Sequence, residues 1–123
     1  MSDDIHEYNP ISVEREILST VNELSKGIGT ARDAHKSFLE AERAYKRAYA
    51  RAFMAHKGPQ TEKRVAANIV PEVMDAEDQR DALDVAYSYA KDLNKALSSK
   101  LDAIRSVGAS VRQAYANAGR GEW

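Results

Sequence analysis

Residues 30–59, TARDAHKSFLEAERAYKRAYARAFMAHKGP, decide the fold. Small or apolar side chains recur at Ala31, Ala34, Phe38, Ala41, Tyr45, Ala48, Ala52 and Ala55, with spacings of three and four alternating throughout. Positions three and four apart fall on one face of an α-helix, so this period describes a helix that lays one stripe against another helix. Alanines let the partner come close but bury little area each, so flanking Leu39, Tyr49 and Phe53 must add to the contact. Thr30 with Asp33 three residues on resembles a capping box that opens the segment. Lys57-Gly58-Pro59 closes it: a cation in the last turn, a glycine free to turn the backbone, then a proline that cannot continue the helix.

Upstream, residues 1–10 lack periodicity and end at Pro10, which reads as a flexible tail. Ser12 can cap a helix with Glu14 and Glu16 in its first turn. Val13, Ile17, Val21, Leu24 and Ile28 then form an amphipathic stripe. Gly27 and Gly29 weaken it and mark either a break or a bend in one long helix. Downstream, Thr61 can cap a short helix that Val70-Pro71 interrupts, because the residue before proline disfavours helical geometry. Pro71 can sit in the first turn of the next helix, and Glu72, Asp75, Glu77 and Asp78 suit that end. The last helix carries a long seam: Ala76, Leu83, Tyr87, Ala90, Asn94, Leu97, Leu101, Ile104, Gly108, Val111 and Tyr115. Its period near 3.5 implies a left-handed coil against a partner. Asn94 either sits in that seam and fixes register, or faces water while the stripe runs through Leu93.

The expected fold is therefore all-α: an elongated antiparallel helical hairpin with a short N-terminal helix, assembling into a higher oligomer through the long C-terminal helix. A tail over 1–10 precedes one helical domain over 11–118, with helices about 12–27, 30–57, 61–69 and 72–117, and a frayed end over 119–123, Trp123 included. A helix of about 45 residues spans roughly 68 Å at 1.5 Å per residue, too long for its shorter partner to cover. The surface from Leu97 to Tyr115 should then need a second copy or another protein. Charged residues make up 30% and aromatics only 7% of the 123, in keeping with long, partly exposed helices.

Several classes are set aside. There is no cysteine, so no disulfide or thiolate metal site. No apolar run approaches the roughly 20 residues that span a bilayer, so no membrane is expected. The acidic start, Met1-Ser2-Asp3-Asp4, does not read as a signal peptide. His6, His35 and His56 are scattered outside any metal-ligand spacing, and Gly27-Ile28-Gly29 lacks the lysine and hydroxyl of a phosphate loop. No serine or threonine sits in a nucleophile elbow. No catalytic residue, metal or cofactor is expected, and the chain is not read as an enzyme.

The net charge is −1, but its distribution is uneven. Residues 43–64 hold Arg43, Lys46, Arg47, Arg51, Lys57, Lys63 and Arg64 against Glu62 alone, whereas residues 72–84 hold six acids against Arg80. Either these blocks neutralise one another between chains, or the basic one meets an outside anion. Arg43, Arg47 and Arg51 fall four apart and form a ridge with steps of about 6 Å. A row of guanidiniums can follow a phosphodiester backbone and release its counterions. Tyr45, Tyr49 and Phe53 form a second ridge roughly opposite, either as packing or as a platform on which bases stack.

One stretch resembles a known family. Leu101-Asp102-Ala103-Ile104-Arg105-Ser106-Val107-Gly108-Ala109-Ser110-Val111-Arg112 is similar to the C-terminal motif of the UvsY recombination mediators of T-even-like phages. That motif runs Leu-Asp-Ala-Ile, a basic residue, Ser, any residue, Gly, then an aliphatic and a basic residue three and four places on. The layout is similar too over about residues 35–115: a basic, alanine-rich helix to a glycine turn, a charged segment, then a long helix bearing the motif. The resemblance implies a protein that binds single-stranded DNA as a ring-like homo-oligomer of six or seven subunits. It would help a RecA-like recombinase displace single-stranded-DNA-binding protein, in the cytoplasm of an infected bacterial host. It also implies subunit contacts through the C-terminal helix, here Leu97, Leu101, Ile104, Gly108 and Val111, with Tyr115 at the end of the same seam. Where the family has a lysine and an arginine two residues apart before the glycine turn, this sequence has Ala50-Arg51-Ala52. Arg51 carries over, while Arg43, Lys46 and Arg47 come from the ridge alone.

The reading is a recombination mediator that binds single-stranded DNA and serves phage homologous recombination, replication and repair. Its rival is a helical protein–protein adaptor or inhibitor of phage origin with no DNA binding.

Overall fold

The computed structural model describes residues 8–121, so His6, most of the expected tail, and Glu122 and Trp123 lie outside the described residues. Among the described residues there is no strand. Three helices follow one another: α1 (Pro10–Ala55), α2 (Gln60–Asn68) and α3 (Pro71–Gly121).

Three helices replace the expected four, because α1 runs unbroken through Gly27 and Gly29. Glycine inside a helix costs about 1 kcal/mol relative to alanine. At Gly27 a long-range contact offsets that cost: Asn94 Nδ2 donates to the Gly27 carbonyl at 2.9 Å. Half-buried Asn94 thus sits in the seam, while Leu93 is exposed. Thr30 and Asp33 lie within α1, where there is no free helix end for them to cap.

The observed caps differ as well. Pro10 occupies the first position of α1, where its missing N–H costs nothing. Asn9 precedes it as the cap: its Oδ1 accepts from the Ser12 backbone N–H, and the Asn9 N–H donates back to Ser12 Oγ, both at 2.9 Å. Ser12 is therefore the return partner of the cap and not the cap itself, and Glu14 and Glu16 fall beyond the first turn. α2 begins after Pro59 with no side-chain cap, so Thr61 does not play that part. α1 stops at Ala55, two residues before the expected end, and Gly58 takes φ +141, a conformation that favours glycine, in the turn that follows. Pro71 opens α3 as the sequence implies, and α3 continues through Gly119 to Gly121, past the expected start of fraying.

Contacts divide the chain into two compact units: Gly29–Lys91, and Met1–Ile28 with Asp92–Trp123. In the 29–91 unit, α1 and α3 residues pair in opposite chain order: His35 with Tyr87, Tyr45 with Arg80, Arg51 with Glu72. The alanine seam is the contact: Ala41 and Ala48 are buried, Ala31, Ala34, Phe38, Tyr45 and Ala52 are half-buried, and only Ala55 is exposed. Ala67 of α2 and Val73 of α3 are completely buried. Burying a valine of that kind contributes about 1.5–3 kcal/mol.

In the other unit, Val13 and Thr20 of α1 and Leu101, Ile104 and Gly108 of α3 are buried. Val13 Cγ1 lies 2.9 Å from where a Cβ on Gly108 would stand, so the glycine makes room for the valine. Lys100 Nζ pairs with Glu16 Oε1 at 3.2 Å. Counted back from Ala31 in the same alternation, the seam runs Gly27, Leu24, Thr20, Ile17, Val13. Val21 and Ile28, expected on the buried face, are exposed, and Thr20 and Gly27 take those places.

This corrects the expectation for the last helix. Leu101, Ile104 and Gly108 are covered within the chain, and Leu97 and Val111 are half-buried; only Tyr115 of the expected subunit contacts is exposed. The physical reason is the continuity of α1, which supplies the turns from Val13 to Gly27 that a shorter helix lacks. The seam from Leu97 to Val111 is not surface left over for another copy.

Candidate nucleic-acid interface

Arg43, Arg47 and Arg51 are all exposed on α1, on successive turns. Among the described residues, Arg43 and Arg47 have no carboxylate within ion-pair distance. Arg51 does: its Nη2 lies 2.8 Å from Glu72 Oε1, with both side chains well exposed. Such a pair is worth at most about 1 kcal/mol and exchanges readily for a phosphate. Lys46 Nζ lies 3.2 Å from Glu42 Oε1 one turn earlier, again in the open. Lys57 is exposed in the turn after α1.

The other two expected cations sit apart from the ridge. Lys63 is half-buried, with Nζ 5.2 Å from the centre of the Phe53 ring. Its charge is engaged by the ring face and is less free to follow a backbone. Arg64 is exposed and borders a shallow groove with Tyr49, Phe53 and Met54.

The aromatic ridge is partly covered. Tyr45, Tyr49 and Phe53 are half-buried, with successive ring centres 6.3 and 6.2 Å apart. The Arg80 guanidinium lies 4.4 Å over Tyr45. The hydrogen bond that the Arg80 guanidinium donates to Asp81 Oδ1 holds Arg80 above its ordinary pKa, reinforced by the nearby charges of Asp81 and Glu77. With Arg80 and Lys63 over two of the three rings, the ridge serves as the side wall of the unit.

The two charge blocks touch within one chain. Among the described residues only Arg51–Glu72 joins them directly; Glu77 and Asp81 are taken by Arg80 of their own helix. Among the described residues Arg43 and Arg47 are left without a carboxylate partner. Glu72 as the partner of Arg51 was not legible beforehand, since an acid in a helix's first turn is explained by the helix dipole alone.

His35 is exposed but stacks on Tyr87, ring centres 4.5 Å apart and 23° from parallel, and Lys91 Nζ lies 4.4 Å from the same tyrosine. Among the described residues no group of three or more His, Asp or Glu is arranged to hold a metal ion, and no helix is long and apolar enough to cross a membrane. Compared with protein-family models, curated proteins and solved structures, the chain matches none.

Proposed function

We propose that this chain is a non-enzymatic, single-stranded-DNA-binding recombination mediator. In this reading α1 and α3 form an antiparallel hairpin, and several copies assemble so that their arginine ridges act together on one strand. The assembly helps load a RecA-like recombinase onto DNA covered by single-stranded-DNA-binding protein. The observation that supports DNA binding is the exposed pair Arg43 and Arg47, without a carboxylate partner among the described residues, continued by Arg51, which pairs with an exposed glutamate. One such ridge is a modest anion site; repetition in an oligomer multiplies it through effective concentration, which accommodates a net charge of −1. The recombination role rests on the UvsY-like stretch Leu101–Arg112 and its layout, with six or seven subunits by the same resemblance.

The test is a salt-dependent titration of a labelled oligonucleotide. Replacing Arg43, Arg47 and Arg51 with alanine should weaken binding and flatten the salt dependence by about 2 in slope, at roughly 0.7 per lost phosphate contact on a single strand. Unchanged affinity at low salt overturns the ridge as the binding site.

A second reading, a protein–protein adaptor or inhibitor without DNA binding, is favoured by the exposed apolar residues around the turn: Met54, Val65 and Ile69. An absent mobility shift with wild-type protein would select it.

A further inference from the structure

α1 and α3 each carry a second apolar stripe beside the buried seam. On α1 it consists of Ile11, Leu18, Val21 and Ile28, spaced seven, three and seven apart and all exposed; Leu18 keeps 64% and Ile11 63% of its surface. On α3 it follows Leu93, Ala96, Ala103 and Val107, with Lys100 on the same line, and these too are exposed. Both repeats have the heptad period of a helix–helix contact. Four large aliphatics in register on one solvent face are unlike the scattered apolar residues of an ordinary surface.

Three properties of the stripes say what covers them. They differ in size: branched, bulky side chains on α1, and on α3 two alanines, Ala96 and Ala103, between Leu93 and Val107, so each fits the other better than it fits itself. They differ in charge: residues 10–28 hold Glu14, Glu16 and Glu23 against Arg15 and Lys26, whereas residues 92–119 hold Asp92 and Asp102 against Lys95, Lys100, Arg105 and Arg112. They also lie on opposite sides of the same unit. Lys100, on the α3 stripe, reaches across to Glu16 at 3.2 Å and so marks one side. Leu18 and Ile11 lie on the other flank of α1, roughly 140–160° around the helix from the buried Val13–Thr20 line.

We infer that a second copy of this chain docks here, the α3 stripe of one copy on the α1 stripe of the next. The inference rests on the oligomer reading above and moves the subunit contact from the buried seam to these two outer stripes. Because the two surfaces differ, the contact is head-to-tail: every copy keeps a free stripe for the next, and the series closes as a ring or continues as a filament.

The experiment uses two variants of the full chain, Leu18→Glu and Ala96→Glu, each placing a charge on one exposed stripe. Circular dichroism checks that both stay helical, and light scattering reads the mass. Wild type should be an oligomer, and each variant alone should fall to the mass of one chain, 13.6 kDa. An equimolar mixture should form a one-to-one pair, since one variant retains the α3 stripe and the other the α1 stripe. Variants that keep the wild-type mass, or a mixture that stays monomeric, overturn this contact while leaving the oligomer reading in place. A monomeric wild type overturns both and assigns the stripes to an unrelated partner.

Discussion

Asn94 of α3 donates its side-chain amide to the carbonyl of Gly27 in α1, across 67 positions of sequence, in the interior of one helix pair. A methyl group on Gly27 would run into Asn94 Oδ1. The polar seam residue and the mid-helix glycine are thus one device: the glycine exposes its carbonyl edge, and the amide locks the two helices at one register.

Gly27 and Gly29 should consequently respond in opposite directions to the same substitution. Nothing lies within 4 Å of a Cβ on Gly29, so Gly29→Ala should stabilise the protein by about 1 kcal/mol. Gly27→Ala gains the same propensity but displaces Asn94 and breaks its hydrogen bond, for a net loss of about 1 kcal/mol. Adding Asn94→Ala to Gly27→Ala should recover part of that loss. Thermal unfolding of the four proteins checks all three statements; equal gains from both glycine substitutions would contradict them.

Thr20 is completely buried, and among the described residues its hydroxyl has no hydrogen-bond partner. A buried, unsatisfied hydroxyl costs about 1–3 kcal/mol. Thr20→Val keeps the shape and removes the polar group, so denaturant unfolding should show a gain of about 1 kcal/mol. A loss of stability would mean that the hydroxyl has a partner after all.

Leu101 and Ile104 are buried within one chain, and their loss should be felt there. Leu101→Ala should cost about 2–5 kcal/mol through lost burial and the cavity left behind. The drop in melting temperature should be the same at high and at tenfold lower protein concentration. A drop that grew on dilution would place Leu101 at a contact between copies.

Arg51 and Glu72 form an exposed ion pair at 2.8 Å, which occupies one cation of the ridge. Glu72→Gln should free it and strengthen binding to single-stranded DNA by about two- to five-fold, the scale of an exposed pair. Arg51→Ala should weaken binding less than Arg43→Ala or Arg47→Ala, because only Arg51 gives up a partner to bind. Equal effects of the three arginines in a titration would remove Glu72 from the picture.

Much of the local structure could be read from residues alone. The alternation from Ala31 to Ala52 named the buried face, because helical period is a property of spacing. Gly58-Pro59 and Val70-Pro71 marked the turn and the restart, because backbone sterics act within a few residues. The period alone leaves Asn94 either in the seam or facing water, and its hydrogen bond to Gly27 decides for the seam. The exposed arginines of the ridge were legible for the same reason as the seam: one helical angle fixes which residues face away from the contact.

What only the tertiary structure decided lies where long-range packing outweighs local preference. Two glycines argue for a break or a bend at residues 27–29, at about 1 kcal/mol each; a contact made by a residue of the last helix removes that argument at Gly27. With α1 continuous, its seam takes in Thr20 and Gly27 and leaves Val21 and Ile28 in water, an order that hydrophobicity alone inverts. Leu101, Ile104 and Gly108 then turn inward against Val13 and its neighbours. Residues carry their own helical period and turn chemistry, but which stripe becomes interior depends on the partner that meets it, and that partner lies far away along the chain.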